Sequence, residues 1–151
     1  MKQKHLLKEL CRAYAMELET AQNYIAASVN LDGVRSEVIK KALAADVAVE
    51  IQHAQQLAAR IKTIGGLVPG SLDLPRNQKL LQPPKDTTDV VTVIKGVIAA
   101  EEAAIAQYNK IIQICEGADY VTQDLVIGIL GGEEDHRSEF LGFLKEYEKK
   151  R

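Results

Sequence analysis

All four prolines, Pro69, Pro75, Pro83 and Pro84, fall between residues 67 and 86, and on either side of that stretch apolar residues recur at helical spacing. Proline lacks the backbone N–H and its ring collides with the preceding turn, so a helix cannot run through such a segment. The chain is therefore predicted to be two helical halves joined by an extended connection. In the first half, Leu7, Leu10, Tyr14, Ala21 and Tyr24 form one stripe of a helix from about Leu6 to Val29. Asn30-Leu31-Asp32-Gly33 is turn chemistry, and Ser36-Glu37 opens a second helix through Ile39, Leu43, Leu57, Ile61 and Ile64. That helix should stop at Gly65-Gly66, where a positive φ is cheap. In the second half, Asp86, Thr87 and Thr88 are predicted to cap a third helix carrying Val90, Ile94, Val97, Ile98, Ala104, Ile105, Tyr108, Ile112 and Cys115 inward. Gly117 ends it, and Asp119 begins a fourth with Val126, Ile129, Leu130, Phe140, Leu144 and Tyr147 inward. No strand alternation competes.

A structureless connection of that length needs a purpose in a compact domain. Spanning the bundle from end to end supplies one, so the expected fold is an all-α antiparallel four-helix bundle with a long crossover between its second and third helices. A chain of 151 residues suits one such domain over its whole length.

Charged residues on the inward stripes carry the functional signal. Glu50 with His53, and Glu133 with His136, are two Glu-x-x-His pairs. Side chains three apart share a helix face, so each pair can grip one metal ion from one helix. A single pair would equally suit a surface ion pair or a core histidine. The inward stripe of the first helix also lands on Glu17, seven before Tyr24, and that of the third on Glu101, seven before Tyr108. The long spacings agree, since 50 − 17 = 33 and 133 − 101 = 32, so the chain repeats Glu-(x6)-Tyr followed by Glu-x-x-His. Glu102, by contrast, points outward with Lys95 and Asn109.

Four carboxylates in an apolar core would raise their pKa or destabilise the fold unless cations accompany them. No Lys or Arg shares their stripes, which argues against a buried salt-bridge network. Two divalent ions would balance Glu17, Glu50, Glu101 and Glu133, with His53 and His136 as neutral ligands. An oxygen-rich set with two imidazoles and no thiolate suits iron, or manganese, better than structural zinc. Tyr24 and Tyr108 are expected to hydrogen-bond these carboxylates, and Tyr24 is also a candidate for a redox role. Asp46, one turn before Glu50, is a candidate hydrogen-bond partner for a ligating histidine on a neighbouring helix. His5 is expected at the surface. Close helix packing would account for Gly131 and Gly132 inside the fourth helix.

The 19 basic and 21 acidic residues leave a net charge of -2, which argues against a nucleic-acid-coating protein. Basic residues cluster only at the ends, at Lys2, Lys4, Lys8, Lys145, Lys149, Lys150 and Arg151. No apolar run is long enough to span a membrane and no leader is evident, so a cytoplasmic protein is expected. Cys11 and Cys115 read as reduced thiols. At the helical rise they lie roughly 9 and 21 Å from the level of the carboxylates, too different to bridge.

As a set, Glu17 with Tyr24, Glu50-Ile51-Gln52-His53, Glu101 and Glu133-Glu134-Asp135-His136 resemble the ferritin-like diiron proteins, nearest to bacterioferritin and the haem-free Dps-like ferritins. The resemblance covers nearly the whole chain. It implies a ferroxidase that binds two iron ions per subunit, Glu50 and Glu133 bridging, and oxidises Fe(II) with O2 or H2O2 for storage or detoxification. It also implies a homo-oligomer, either a shell of twelve or twenty-four subunits or a smaller assembly. Ile51 stands where bacterioferritin has its haem-ligating methionine, so no haem is expected. No fifth helix follows the fourth, which favours the smaller assemblies. Rubrerythrin-like relatives add a glutamate where this chain has Ala104, and full-length forms add a paired-cysteine module not seen here. A rubrerythrin-like diiron peroxidase, or a diiron oxygenase, is the alternative reading.

Overall fold

The computed structural model describes residues 2–149, so Lys150 and Arg151 of the C-terminal basic cluster lie outside the described residues. Four helices carry the fold: α1 (Lys2–Asn30), α2 (Glu37–Thr63), α3 (Val90–Cys115) and α4 (Tyr120–Tyr147), with no strand among the described residues. α1 begins at Lys2, ahead of the expected Leu6, because Lys, Gln and Leu are good helix formers and extend the helix as an exposed turn. A short 3₁₀ turn, Val34–Ser36, precedes α2. Ser36 does not cap α2 with its side chain; its hydroxyl donates instead to the Asp32 carbonyl at 2.8 Å. α2 ends as expected at Gly65, whose φ of 85° is left-handed.

The cap of α3 differs from expectation. Asp86 is occupied locally, accepting from the Thr88 amide and hydroxyl at 2.9 and 2.7 Å. Asp89, three residues on, accepts from the Thr92 amide and opens the helix. Asp119 does cap α4, accepting from Thr122 N at 2.9 Å.

The bundle's core divides into two apolar clusters at opposite ends. One gathers Tyr24, Leu31, Ile39, Leu43, Ile94, Val97 and Phe140; the other gathers Leu10, Leu57, Ile61, Ile111, Cys115, Val126 and Ile129. The late half of α1 thus meets the early half of α2 and of α3 and the late half of α4. Both α2 and α3 run antiparallel to α1, hence parallel to each other, which obliges residues 64–89 to travel the full bundle length. α1 packs between α2 and α3, and α4 packs on α3.

The crossover is held along its way. Glu19, buried on α1, accepts the backbone N–H of Asn77 at 2.9 Å and of Gln78 at 3.2 Å. Asn23 donates to the Gln78 side chain at 3.0 Å. The 3₁₀ turn Lys79–Leu81 lies directly on α3 at Gly96, where a Cβ would stand 2.3 Å from the Leu80 carbonyl oxygen. Only glycine admits that approach.

Candidate metal centre

Between the two apolar clusters, each helix presents one glutamate to the bundle axis. Glu17 (α1), Glu50 (α2), Glu101 (α3) and Glu133 (α4) retain at most 2% of their surface. His53, one turn after Glu50, and His136, one turn after Glu133, join them from α2 and α4. His53 Nδ1 stands 2.9 Å from Glu133 Oε1, 3.6 Å from Glu17 Oε2 and 3.8 Å from Glu50 Oε2. His136 Nδ1 stands 3.3 Å from Glu50 Oε1 and 3.6 Å from Glu101 Oε1. The six side chains form two overlapping sets. Glu17, Glu50, His53 and Glu133 make one and Glu50, Glu101, Glu133 and His136 the other, each with one donor atom per residue inside a 4.8 Å span. Glu50 and Glu133 belong to both.

The tyrosines cross between halves. Tyr24 on α1 donates its hydroxyl hydrogen to Glu101 on α3 at 2.5 Å, and Tyr108 on α3 donates to Glu17 on α1. Both rings are fully buried, and burial with the facing carboxylates pushes both phenols well above their usual range. Asp46 reaches across to α4, with Oδ1 3.4 Å from His136 Nε2.

These groups hold protons tightly. Burial raises Glu17 to about 8, helped by the Glu50 carboxylate beside it. Burial likewise raises Glu101 to about 9 and lifts Glu133. At Glu50 burial also pulls upward, but Glu17 and the two imidazoles beside it outweigh burial and hold the carboxyl down at about 2. Burial would lower both histidines; the carboxylates around them win, pushing His53 to about 12 and His136 to about 11. Burial raises Asp46 to about 6, against the pull of His136.

Near neutral pH both imidazoles are therefore charged, and Glu17 and Glu101 keep their protons. Yet the hydrogen bonding of the centre is incomplete. Both oxygens of Glu50, one each of Glu101, Glu133 and Asp46, and Nδ1 of both histidines are buried without a hydrogen-bond partner. Unpartnered buried polar atoms are costly and rare in folded proteins. Here they converge from three helices, α2, α3 and α4, and the basic groups paired with them among the described residues are the two histidines alone. Carboxylate oxygens and imidazole nitrogens without donors are what a pair of hard-to-borderline divalent cations requires.

The family model for the ferritin-like domain matches residues 7–150, a span that takes in α2, α3 and α4, most of α1 and all six of these side chains. The chain belongs to the ferritin-like family. A ferritin-like relative, a "DNA protection during starvation protein" of Pyrococcus furiosus, is 28% identical over 139 residues, covering 89% of this chain and 74% of that protein. The fold is shared with a ferritin-like, diiron-carboxylate protein from Bacillus anthracis str. Ames (TM-score 0.84, 21% identity, 95% of this chain and 98% of that one). It is shared equally with a dodecameric thioferritin, the bacterioferritin-related protein from Bacteroides fragilis (TM-score 0.83, 24% identity, 96% and 87%). No described helix of this ferritin-like chain is long and apolar enough to cross a membrane.

Other positions fall where the ferritin-like bundle puts them. His5 is exposed, and Cys11 and Cys115 are free thiols, the first half-buried and the second buried. Close packing does not explain Gly131 and Gly132 of α4. A Cβ at Gly131 would meet nothing, and one at Gly132 would lie 3.6 Å from His53 Cε1, an ordinary contact. Sequence reasoning missed Glu19, Gly96 and Glu9, which is buried against Lys110 and Gln107. Glu19 lies on the other side of α1 from Glu17, facing the crossover, and nothing periodic marks the crossover backbone or the α3 residues that Glu19 and Glu9 hold.

Proposed function

We propose that this ferritin-like chain is a ferroxidase: it takes up two Fe(II) ions as substrate in the bundle core and oxidises them with O2 or H2O2 for storage or detoxification. The observation that carries the reading is the pair of overlapping ligand sets sharing Glu50 and Glu133. Two cations bridged by common carboxylates stay close enough to deliver two electrons to one oxidant. Glu17 and His53 would complete one subsite, and Glu101 and His136 the other. When bound, iron supplies the redox chemistry; manganese would satisfy the same donors.

The chain's residues supply the rest. Four glutamates match the charge of two divalent ions, so loading exchanges protons for metal without leaving net charge in an apolar interior. His53 and His136 must surrender their Nδ1 protons, and Glu17 and Glu101 theirs, so uptake is coupled to proton release. Tyr24 and Tyr108 fix the outer carboxylates Glu101 and Glu17 through their hydroxyls, and Tyr24 stands one carboxylate away from the metals as a potential electron donor. The apolar clusters above and below exclude water from the centre.

A homo-oligomer is part of the proposal. The support for it is the likeness to the B. fragilis neighbour, which is a dodecamer. The test is to add Fe(II) in excess, then O2 or H2O2, while following ferric absorbance and size-exclusion mass. Iron accumulating far beyond two per chain in a large particle supports storage. Oxidation that stops at two per chain in a small oligomer would replace it with the rubrerythrin-like peroxidase or an oxygenase.

A further inference from the structure

The duplication that builds the metal centre also builds a hollow where the α1–α3 seam faces the crossover. The shift that carries Glu17 onto Glu101, 101 − 17 = 84 residues, carries Arg12, Met16 and Glu19 of α1 onto Gly96, Ala100 and Ala103 of α3. All six of these positions line one cavity of about 250 Å3, which the crossover closes at Lys79, Leu80 and Leu81. The two copies differ in size. α1 offers long side chains, whereas α3 offers at most a Cβ at each of its three positions, and Ala99 continues that bare face. Protein interiors are close-packed and leave few voids of this size. Nor does the crossover sink into the space. Glu19 fixes the backbone N–H of Asn77 and Gln78 at 2.9 and 3.2 Å, and the Leu80 carbonyl rests where Gly96 lacks a side chain.

Three charged side chains line the cavity. Glu19 is buried, and both of its oxygens are spent on the Asn77 and Gln78 amides. Arg12 and Lys79 line it from exposed positions, and neither forms an ion pair among the described residues. Glu9, one turn before Arg12, is taken by Lys110 at 2.8 Å. Two uncommitted cations beside an apolar hollow call for an anion that carries an apolar body. We propose that this hollow binds a small organic carboxylate, its anion held between Arg12 and Lys79 and its apolar body laid against Met16, Ala99 and Ala100. A planar guanidinium matches a carboxylate in a two-point contact, to which the ammonium adds a point charge. The space holds about eight non-hydrogen atoms at roughly 30 Å3 each, so the body is a short chain or a single ring. Inorganic phosphate would meet the two cations but leave the apolar face wet. The site is separate from the metal centre and does not depend on the ferroxidase reading.

Calorimetric titration of the full chain with hexanoate, alongside 13C spectra of its methionine and alanine methyl groups, tests the proposal. The wild type should bind hexanoate with a Kd of about 0.1–1 mM, as its few atoms allow, and shift the Met16 methyl signal. Hexanol, which lacks the charge, and inorganic phosphate, which lacks the apolar body, should each bind at least about 10-fold more weakly. The Arg12→Gln/Lys79→Gln double variant changes only exposed side chains and should lose at least about 10-fold in hexanoate affinity. Ala103→Leu, at an exposed position on the cavity wall, should abolish binding by filling the space. Lys41→Gln, on α2 away from the cavity, should leave the affinity within about 2-fold. No hexanoate bound by the wild type, phosphate bound as tightly as hexanoate, or undiminished binding in Ala103→Leu or in the double variant would each overturn the proposal.

Discussion

The Tyr24 hydroxyl donates to Glu101 Oε1 at 2.5 Å from across the bundle, and Tyr108 returns the contact to Glu17, so each half of the duplicated chain holds the outer carboxylate of the other. Neither glutamate is oriented by its own helix alone. Tyr24→Phe would leave a buried Glu101 oxygen without its donor, and Tyr108→Phe would do the same at Glu17. Each should cost the metal-free protein about 1–3 kcal/mol, read from denaturant midpoints. The two costs should add within about 0.5 kcal/mol unless the carboxylates they hold interact, in which case the double variant departs from the sum.

Proton exchange gives the second prediction. Glu17, Glu101, His53 and His136 all have folded values above 7, at about 8, 9, 12 and 11. Filling the centre at pH 7 should therefore release about four protons per chain, measurable with an indicator dye in weak buffer. A release near zero would mean that the ions bind elsewhere.

The same values fix the sign of the pH dependence. A group whose folded value is raised contributes stability fully present below its unfolded value, about 4.3 for Glu and 6.5 for His, and loses it as pH rises through the folded value. Glu50, held down at about 2, contributes stability present above its unfolded value and lost as pH falls toward 2. The thermal midpoint of the metal-free chain should peak near pH 5 and fall steadily to pH 9. Saturating Co(II) should abolish that fall, because the ions take the protons' place.

Glycine positions separate structural need from tolerance. At Gly96 a Cβ would collide with the Leu80 carbonyl at 2.3 Å, so Gly96→Ala should cost about 1–3 kcal/mol and speed proteolysis within residues 67–89. Gly131 faces open space in mid-helix, so Gly131→Ala should stabilise by up to about 1 kcal/mol, seen as a higher thermal midpoint.

Much of this architecture was legible because helical period and proline placement are local signals. The spacing of Glu17, Glu50, Glu101 and Glu133 put one carboxylate on each inward stripe, and the structure brings all four together with His53 and His136. The crossover followed from the prolines alone. Asp46, one turn before Glu50, was expected beside a ligating histidine of a neighbouring helix, and the structure places it by His136 of α4. Glu19 and Gly96 were illegible because their partners are backbone atoms of Asn77, Gln78 and Leu80, in a segment with no period to align. The start of α3 was misplaced because Asp86 and Asp89 are equally good caps in sequence, and only the local turn at Thr88 decides which is free.

The bridging assignment separates Glu50 and Glu133 from the other ligands. Glu50→Gln or Glu133→Gln should weaken the binding of both Co(II) ions, since each belongs to both ligand sets. Calorimetry that showed only one ion affected would make that glutamate a ligand of a single ion.

The central claim is tested most directly by loading the purified chain anaerobically with Fe(II) and mixing it rapidly with O2 or H2O2 while recording ferric absorbance. The wild type should bind two Fe(II) per chain and oxidise them in one fast phase, and the Glu17→Gln/Glu101→Gln double variant should lose both binding and that phase. Fast oxidation that survives in the double variant, or a wild type that binds no Fe(II), would contradict a diiron ferroxidase centre at these residues.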